Sequence, residues 1–196
     1  ADWRLNWEPG TRYEYHPTSA HWVLAEIITE VTGEHYADEI HRRVTAPLGL
    51  PRILGIDPES QEQIADLALC EGEATPDELE AVFGVRSMPP SEVNDETIIR
   101  FNDPETRAVG VPGGGGYGRA ADLAGFYQAL LHNPGGVWDS SMLNNAVGRV
   151  HNKLPDPMGV PANRGLGVIL AGDDGMTNRR GLGRTVSPRA FGHNGV

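Results

Sequence analysis

Helical periodicity occupies the first three quarters of this 196-residue chain, and strand-like patterning is confined to the remainder. Elements in that order argue for an α+β fold rather than alternating β-α units. Residues 19–31 place Leu24, Ile27, Ile28 and Val31 at i, i+3, i+4 and i+7, one apolar face of a helix that Ser19 can cap and Gly33 can end. A second helix is expected over 35–45, with Tyr36, Ile40 and Val44 on one side and Pro47 ending it. The pattern weakens between Pro51 and Pro104, where Thr75-Pro76-Asp77-Glu78 still forms a good helix start: a capping Thr, Pro at the first helical position, acid in the first turn. Met88-Pro89-Pro90-Ser91 marks a break. Gly113 to Gly116 lead into a helix with Leu123, Phe126, Tyr127, Leu130 and Leu131 on one face, closed by Asn133-Pro134-Gly135-Gly136. A short helix is expected over 140–150, then strands over 165–170 and 189–196 with a turn at Asp173-Asp174-Gly175.

This order divides the chain into a mostly helical region, 1–160, and a strand region, 161–196. Two strands cannot bury a sheet of their own. The sheet is therefore expected to be incomplete, and the chain to be a piece of a longer protein.

Charge and residue usage exclude several function classes. Sixteen Lys and Arg against 27 Asp and Glu give a formal charge of −11, which repels a phosphate backbone, so no nucleic-acid partner is expected. The longest apolar runs are a few residues, far short of the ~20 that cross a bilayer, so no transmembrane segment is expected. The single cysteine, Cys70, excludes an internal disulfide and a cysteine-rich metal site. With no basic neighbour in sequence to activate it, Cys70 reads as a structural or incidental thiol. His16 and His21, and His35 and His41, miss the i, i+4 spacing of a helical zinc pair. No metal and no cofactor are expected. The glycine run at 113–116 has no following Gly-Lys-Ser/Thr and reads as a structural turn rather than a phosphate loop.

Five segments resemble, in order, those of the serine β-lactamase-like hydrolases, the group of class C β-lactamases, D,D-peptidases and related family VIII esterases. Pro9-Gly10-Thr11-Arg12-Tyr13-Glu14-Tyr15 is similar to the segment leading to that family's catalytic tyrosine, and the following helix ends in Glu30-Val31-Thr32-Gly33. Pro47-Leu48-Gly49-Leu50 resembles its Pro-Leu-Gly turn, and residues 113–131 its glycine-rich turn with the Ala-x-Asp-Leu helix start. Gly165-Leu166-Gly167 and Phe191-Gly192-His193-Asn194-Gly195 resemble its late strands. The family's Ser-x-x-Lys, which carries the nucleophile, is not in these residues. The resemblance therefore implies an internal fragment of a penicillin-recognising fold, expected to be inactive alone.

The resemblance implies a role for each matching residue. Tyr15 stands as the catalytic tyrosine; a phenol is a poor base at neutral pH and needs a cationic neighbour. His193 occupies the place of the Lys in Lys-Thr-Gly, as in esterase-like members, where it would hydrogen-bond Tyr15 or substrate. Gly195 would let substrate approach the backbone closely, and the N–H of Val196 would be one oxyanion donor. Two residues after Tyr15, β-lactamases carry an Asn; here the position is Pro17, which has no side-chain donor or acceptor. That departure favours a small-molecule ester as substrate, turned over through an acyl-enzyme. A β-lactamase or D,D-peptidase is the first alternative, and a catalytically inactive relative that binds a ligand or protein the second.

Overall fold

A computed structural model describes residues 4–70, 72, 74–88 and 93–195. In chain order its elements are α1 (Ser19–Thr32), α2 (Tyr36–Ile40), α3 (Pro76–Phe83), α4 (Asp95–Ile99), α5 (Pro104–Val109), α6 (Ala120–His132), α7 (Ser140–Gly148), β1 (Ile169–Leu170) and β2 (Phe191–Gly192). The chain is helix-rich with a two-stranded antiparallel sheet, compatible with a partial α+β fold. Two compact units divide it: a helical unit of His16–Gly72 and Pro90–Val137, and a strand-bearing unit of Ala1–Tyr15, Glu73–Pro89 and Trp138–Val196.

In the helical unit, α1 ends where Gly33 turns left-handed at φ 74° and donates its N–H to Thr29 O. Its start differs from expectation. Thr18 holds the capping position, Ser19 is already inside the helix, and no side chain caps it. The apolar stripe also splits. Ile28 packs on the core of Ala25, Tyr36, Ala37 and Leu54, together with Trp22, Ile40 and Ile53. Leu24, Ile27 and Val31, by contrast, are exposed. The second expected helix is α2, continued by a π-helical turn over His41–Thr45 and a 3-10 turn over Ala46–Leu48. Gly49 closes that run in the left-handed region. Tyr36 meets Trp22 edge-on at 6.0 Å and shares its hydroxyl proton between Val109 O and Gly110 O. Burial pushes its phenol above the ordinary tyrosine value.

Close backbone contact underlies the glycines here. A Cβ on Gly110, at φ 68°, would lie 2.4 Å from Gly55 N. The 113–116 run is a turn, with Gly115 N–H donating to Val111 O at 2.8 Å. A Cβ on Gly113 would lie 2.5 Å from His21 Nδ1, so the turn folds directly against the first turn of α1.

The strand-bearing unit begins its helices with strong caps. Thr75 and Glu78 form a capping box on α3, and Asp139 accepts from Ser141 N and Met142 N at the start of α7. The strands are shorter than the sequence suggests. β1 covers Ile169–Leu170 and β2 covers Phe191–Gly192, paired Ile169↔Gly192 and Leu170↔Phe191. Residues 165–168 turn instead of extending: Gly165 N–H donates to Val168 O, and Gly167 sits at φ 80°. A Cβ on Gly165 would meet Ala146 O at 2.3 Å, which fixes that turn against α7. At the other end Ala190 N–H donates to Ser187 O, a turn that ends just where β2 begins. The fully buried Ala171 and the nearly buried Val168, Ile169 and Leu170 sit in this unit with Val160 and Ala162.

Candidate functional site

Residues 12–16 have no regular secondary structure, and in an extended segment side chains two apart share a side. Tyr13 and Tyr15 fit that rule, because one side chain reaches both. The Arg164 guanidinium carbon lies 5.8 Å from the Tyr13 ring centre and 5.1 Å from that of Tyr15. Arg164 Nε donates to the Tyr13 hydroxyl at 2.9 Å.

His193 arrives at the same place from the far end of the chain. It directly follows β2, so the pairing of Ile169 with Gly192 fixes where it leaves the sheet. Its ring centre is 5.8 Å from that of Tyr15, with 40° between the planes. Nδ1 lies 2.6 Å from Asn194 O. A carbonyl can only accept, so Nδ1 carries a proton, and a neutral imidazole then presents a lone pair at Nε2. Tyr15 is 42% exposed and its hydroxyl makes no hydrogen bond among the described residues. It is open to a ligand.

Tyr13 is set by its surroundings as a hydrogen-bonded hydroxyl. Burial raises the Tyr13 phenol above its ordinary value; the hydrogen bond and charge of Arg164 oppose that, while Tyr15 and Asp156 reinforce it. Tyr13 is therefore a neutral hydroxyl at physiological pH, suited to anchoring and unsuited to accepting a proton.

The remaining expected site residues are less constrained. Gly195 is exposed, and a Cβ built on it meets nothing within 4 Å, so the space beside it is open. Val196 lies outside the described residues. Among the described residues no cluster of three or more His, Cys, Asp or Glu lies close enough to hold a metal ion. None of their helices is long and apolar enough to cross a membrane.

Arg164, which contacts both Tyr13 and Tyr15, is not singled out by the sequence patterns. It sits immediately before Gly165-Leu166-Gly167, a segment already singled out, but an arginine in a loop carries no local signal of its target. Tyr13, within the motif of Tyr15, was equally visible; its i, i+2 relation to Tyr15 was the available clue.

A family model described as Beta-lactamase matches residues 1–196. No curated protein matches the chain.

Proposed function

We propose, from the premise that this chain belongs to the beta-lactamase family, that it supplies the tyrosine side of the active site of a serine hydrolase acting on carboxylic esters. Serine hydrolysis is the general activity of that family; preference for esters is the finer reading. The observation that carries it is the meeting of Tyr15 and His193, ring centres 5.8 Å apart, from opposite ends of the chain. Pro17, in place of the amide-bearing residue of β-lactamases, supports esters over lactams.

In the proposed reaction the serine hydroxyl of the Ser-x-x-Lys segment of the longer protein attacks the ester carbonyl. Its proton passes to the lysine and Tyr15 pair and on to the departing alkoxide as the acyl–oxygen bond breaks, leaving an acyl-enzyme and an alcohol. Water then attacks the acyl-enzyme by the same route in reverse, releasing the acid and restoring the serine. His193, with its Nε2 lone pair, accepts a hydrogen bond from Tyr15 or from substrate. Gly195, past the end of β2, leaves room for the acyl group, and the N–H of Val196 is one oxyanion donor, worth about 3–4 kcal/mol in comparable sites.

Turnover of a short p-nitrophenyl ester and of nitrocefin by the full-length protein tests this reading. Ester hydrolysis exceeding lactam hydrolysis is expected. A strong preference for nitrocefin would move the protein to the β-lactamases, and an absent Ser-x-x-Lys with no turnover of either would make it a binding relative.

A further inference from the structure

The backbone around Arg164 is held more tightly than a loop requires. Asn163 is buried and lies at φ 44°, in the left-handed region that non-glycine residues rarely occupy. Its carbonyl accepts from Leu170 N at 2.9 Å, tying the turn to β1. Arg164 N donates to Asn152 O at 2.9 Å, and Arg164 O accepts from His151 N at 2.7 Å and Asn152 N at 3.2 Å. Arg164 is thus bridged to Asn152 on one side and to Ile169 on the other.

This frame delivers a charged side chain to aromatic rings rather than to a carboxylate. Asp156, the acid that bears on Tyr13, spends Oδ1 on the backbone N–H groups of Met158 and Val160. Arg164 makes no ion pair among the described residues, although the chain is acidic overall. Its Nε is committed to Tyr13, and its guanidinium carbon lies over the Tyr15 ring, 5.1 Å from the ring centre. A guanidinium stays charged at every working pH, and the Tyr15 ring it meets is also 5.8 Å from the ring of His193.

We propose that Arg164 is a positioning residue for Tyr15, acting as a clamp: its hydrogen bond to Tyr13 fixes the Tyr13–Tyr15 segment, and its face holds the Tyr15 ring against His193. The proposal rests on the reading of Tyr15 as the proton-handling tyrosine. It assigns to a loop residue, outside the strand motif that carries His193, the task of keeping that phenol in place.

Kinetics and ring proximity in the full-length protein test it together. Arg164→Met is expected to lower kcat for a p-nitrophenyl ester by about 30-fold while KM stays within about twofold, the signature of an interaction lost from the transition state. Tyr13→Phe, a gentle change that preserves packing, is expected to lower kcat about fivefold. Because both act through one contact, the double variant should be no worse than Arg164→Met alone. Arg164→Lys keeps the charge and one donor, and should recover part of the loss. The nuclear Overhauser contact between the Tyr15 and His193 rings should be present in the parent protein and weakened in Arg164→Met and Tyr13→Phe. Additive losses, a change confined to KM, or ring contacts indifferent to both substitutions would overturn the proposal. The ring contact is read without catalysis, so a parent protein inactive on esters would sink the functional reading and leave the clamp decided by the spectra.

Discussion

The rings of Tyr15 and His193 stand 5.8 Å apart at 40°, although Tyr15 precedes the first helix and His193 follows the last strand. Each is carried there by its own local structure, an irregular segment before α1 for one and the pairing of β1 with β2 for the other. If both handle the same proton, their substitutions must be coupled. Tyr15→Phe in the full-length protein is expected to lower kcat by at least ~100-fold, the lower end of what a positioned acid–base group contributes. His193→Ala should lower it about tenfold, and the double variant should match Tyr15→Phe alone. Steady-state kinetics on a p-nitrophenyl ester, with circular dichroism to verify folding, measure this cycle. Fully additive losses would mean that the two rings are neighbours without a shared task.

Substrate choice is tested at Pro17. An asparagine side chain there restores the amide that lactam-processing relatives use. A well-placed hydrogen bond is worth ~0.5–1.5 kcal/mol net, so Pro17→Asn should raise the rate of β-lactam acylation relative to ester acylation by several-fold to about tenfold. Releasing φ at residue 17 also frees His16. A crystal structure of the variant should therefore accompany the kinetics. An unchanged ratio in a correctly folded variant would remove the principal argument for esters.

Two glycines with nearly the same left-handed φ separate conformational cost from crowding. Gly33, φ 74°, ends α1 with nothing within 4 Å of a built Cβ. Gly110, φ 68°, would place its Cβ 2.4 Å from Gly55 N and 2.9 Å from Gly55 Cα. Gly33→Ala should cost about 1–2 kcal/mol from the left-handed angle alone. Gly110→Ala adds a clash with backbone, which cannot swing aside, and should cost at least ~2 kcal/mol more. Urea unfolding of the two variants reads the difference in midpoint. Equal losses would show that the chain relaxes around Gly110.

What was legible in the sequence was local. Gly33, the Thr75–Glu78 box and Asn133 end or start helices through contacts within a few residues, and all three hold in the structure. Helices α4 and α5 were missed because five and six residues are too few for periodicity to register. Their caps, Asn94 with Thr97 and Asp103 before Pro104, were the usable signal. The strands were read too long because Gly165-Leu166-Gly167 alternates like a strand, while the positive φ of Gly167 and the crowding at Gly165 make it a turn. The exposed side of α1 was equally invisible: Leu24, Ile27 and Val31 have helical spacing whether or not anything covers them. The motifs single out Tyr15 and His193, whose rings the fold brings near each other; they are silent on Arg164, whose contact with Tyr13 spans 151 residues of sequence.

Acid stability offers a test that needs no catalysis. Arg180 is buried, with its side chain 3% exposed, and donates to Pro161 O, Ala171 O and both carboxylate oxygens of Asp174. Those hydrogen bonds, chiefly, hold the Asp174 carboxyl down from 3.8 to about 2. A depressed folded-state value means that the ionised carboxylate stabilises the fold. That contribution is complete above the unfolded value and is lost as pH falls through about 2. Asp174→Asn keeps one acceptor but removes the charge facing a buried guanidinium. Asp174 is about one-third exposed, so the loss should sit near the low end of the ~1.5–3 kcal/mol of a charged hydrogen bond. At neutral pH the variant should melt about 3–6 °C below the parent, given ~2–4 °C per kcal/mol for a chain of this size. The gap should narrow steadily as pH is lowered from about 4 toward 2, where the parent loses the same charge. Thermal melts of both proteins across that range, followed by circular dichroism, measure it. A gap that stays constant down to pH 2 would show that Asp174 acts through shape or hydrogen-bond geometry, and not through its charge on Arg180.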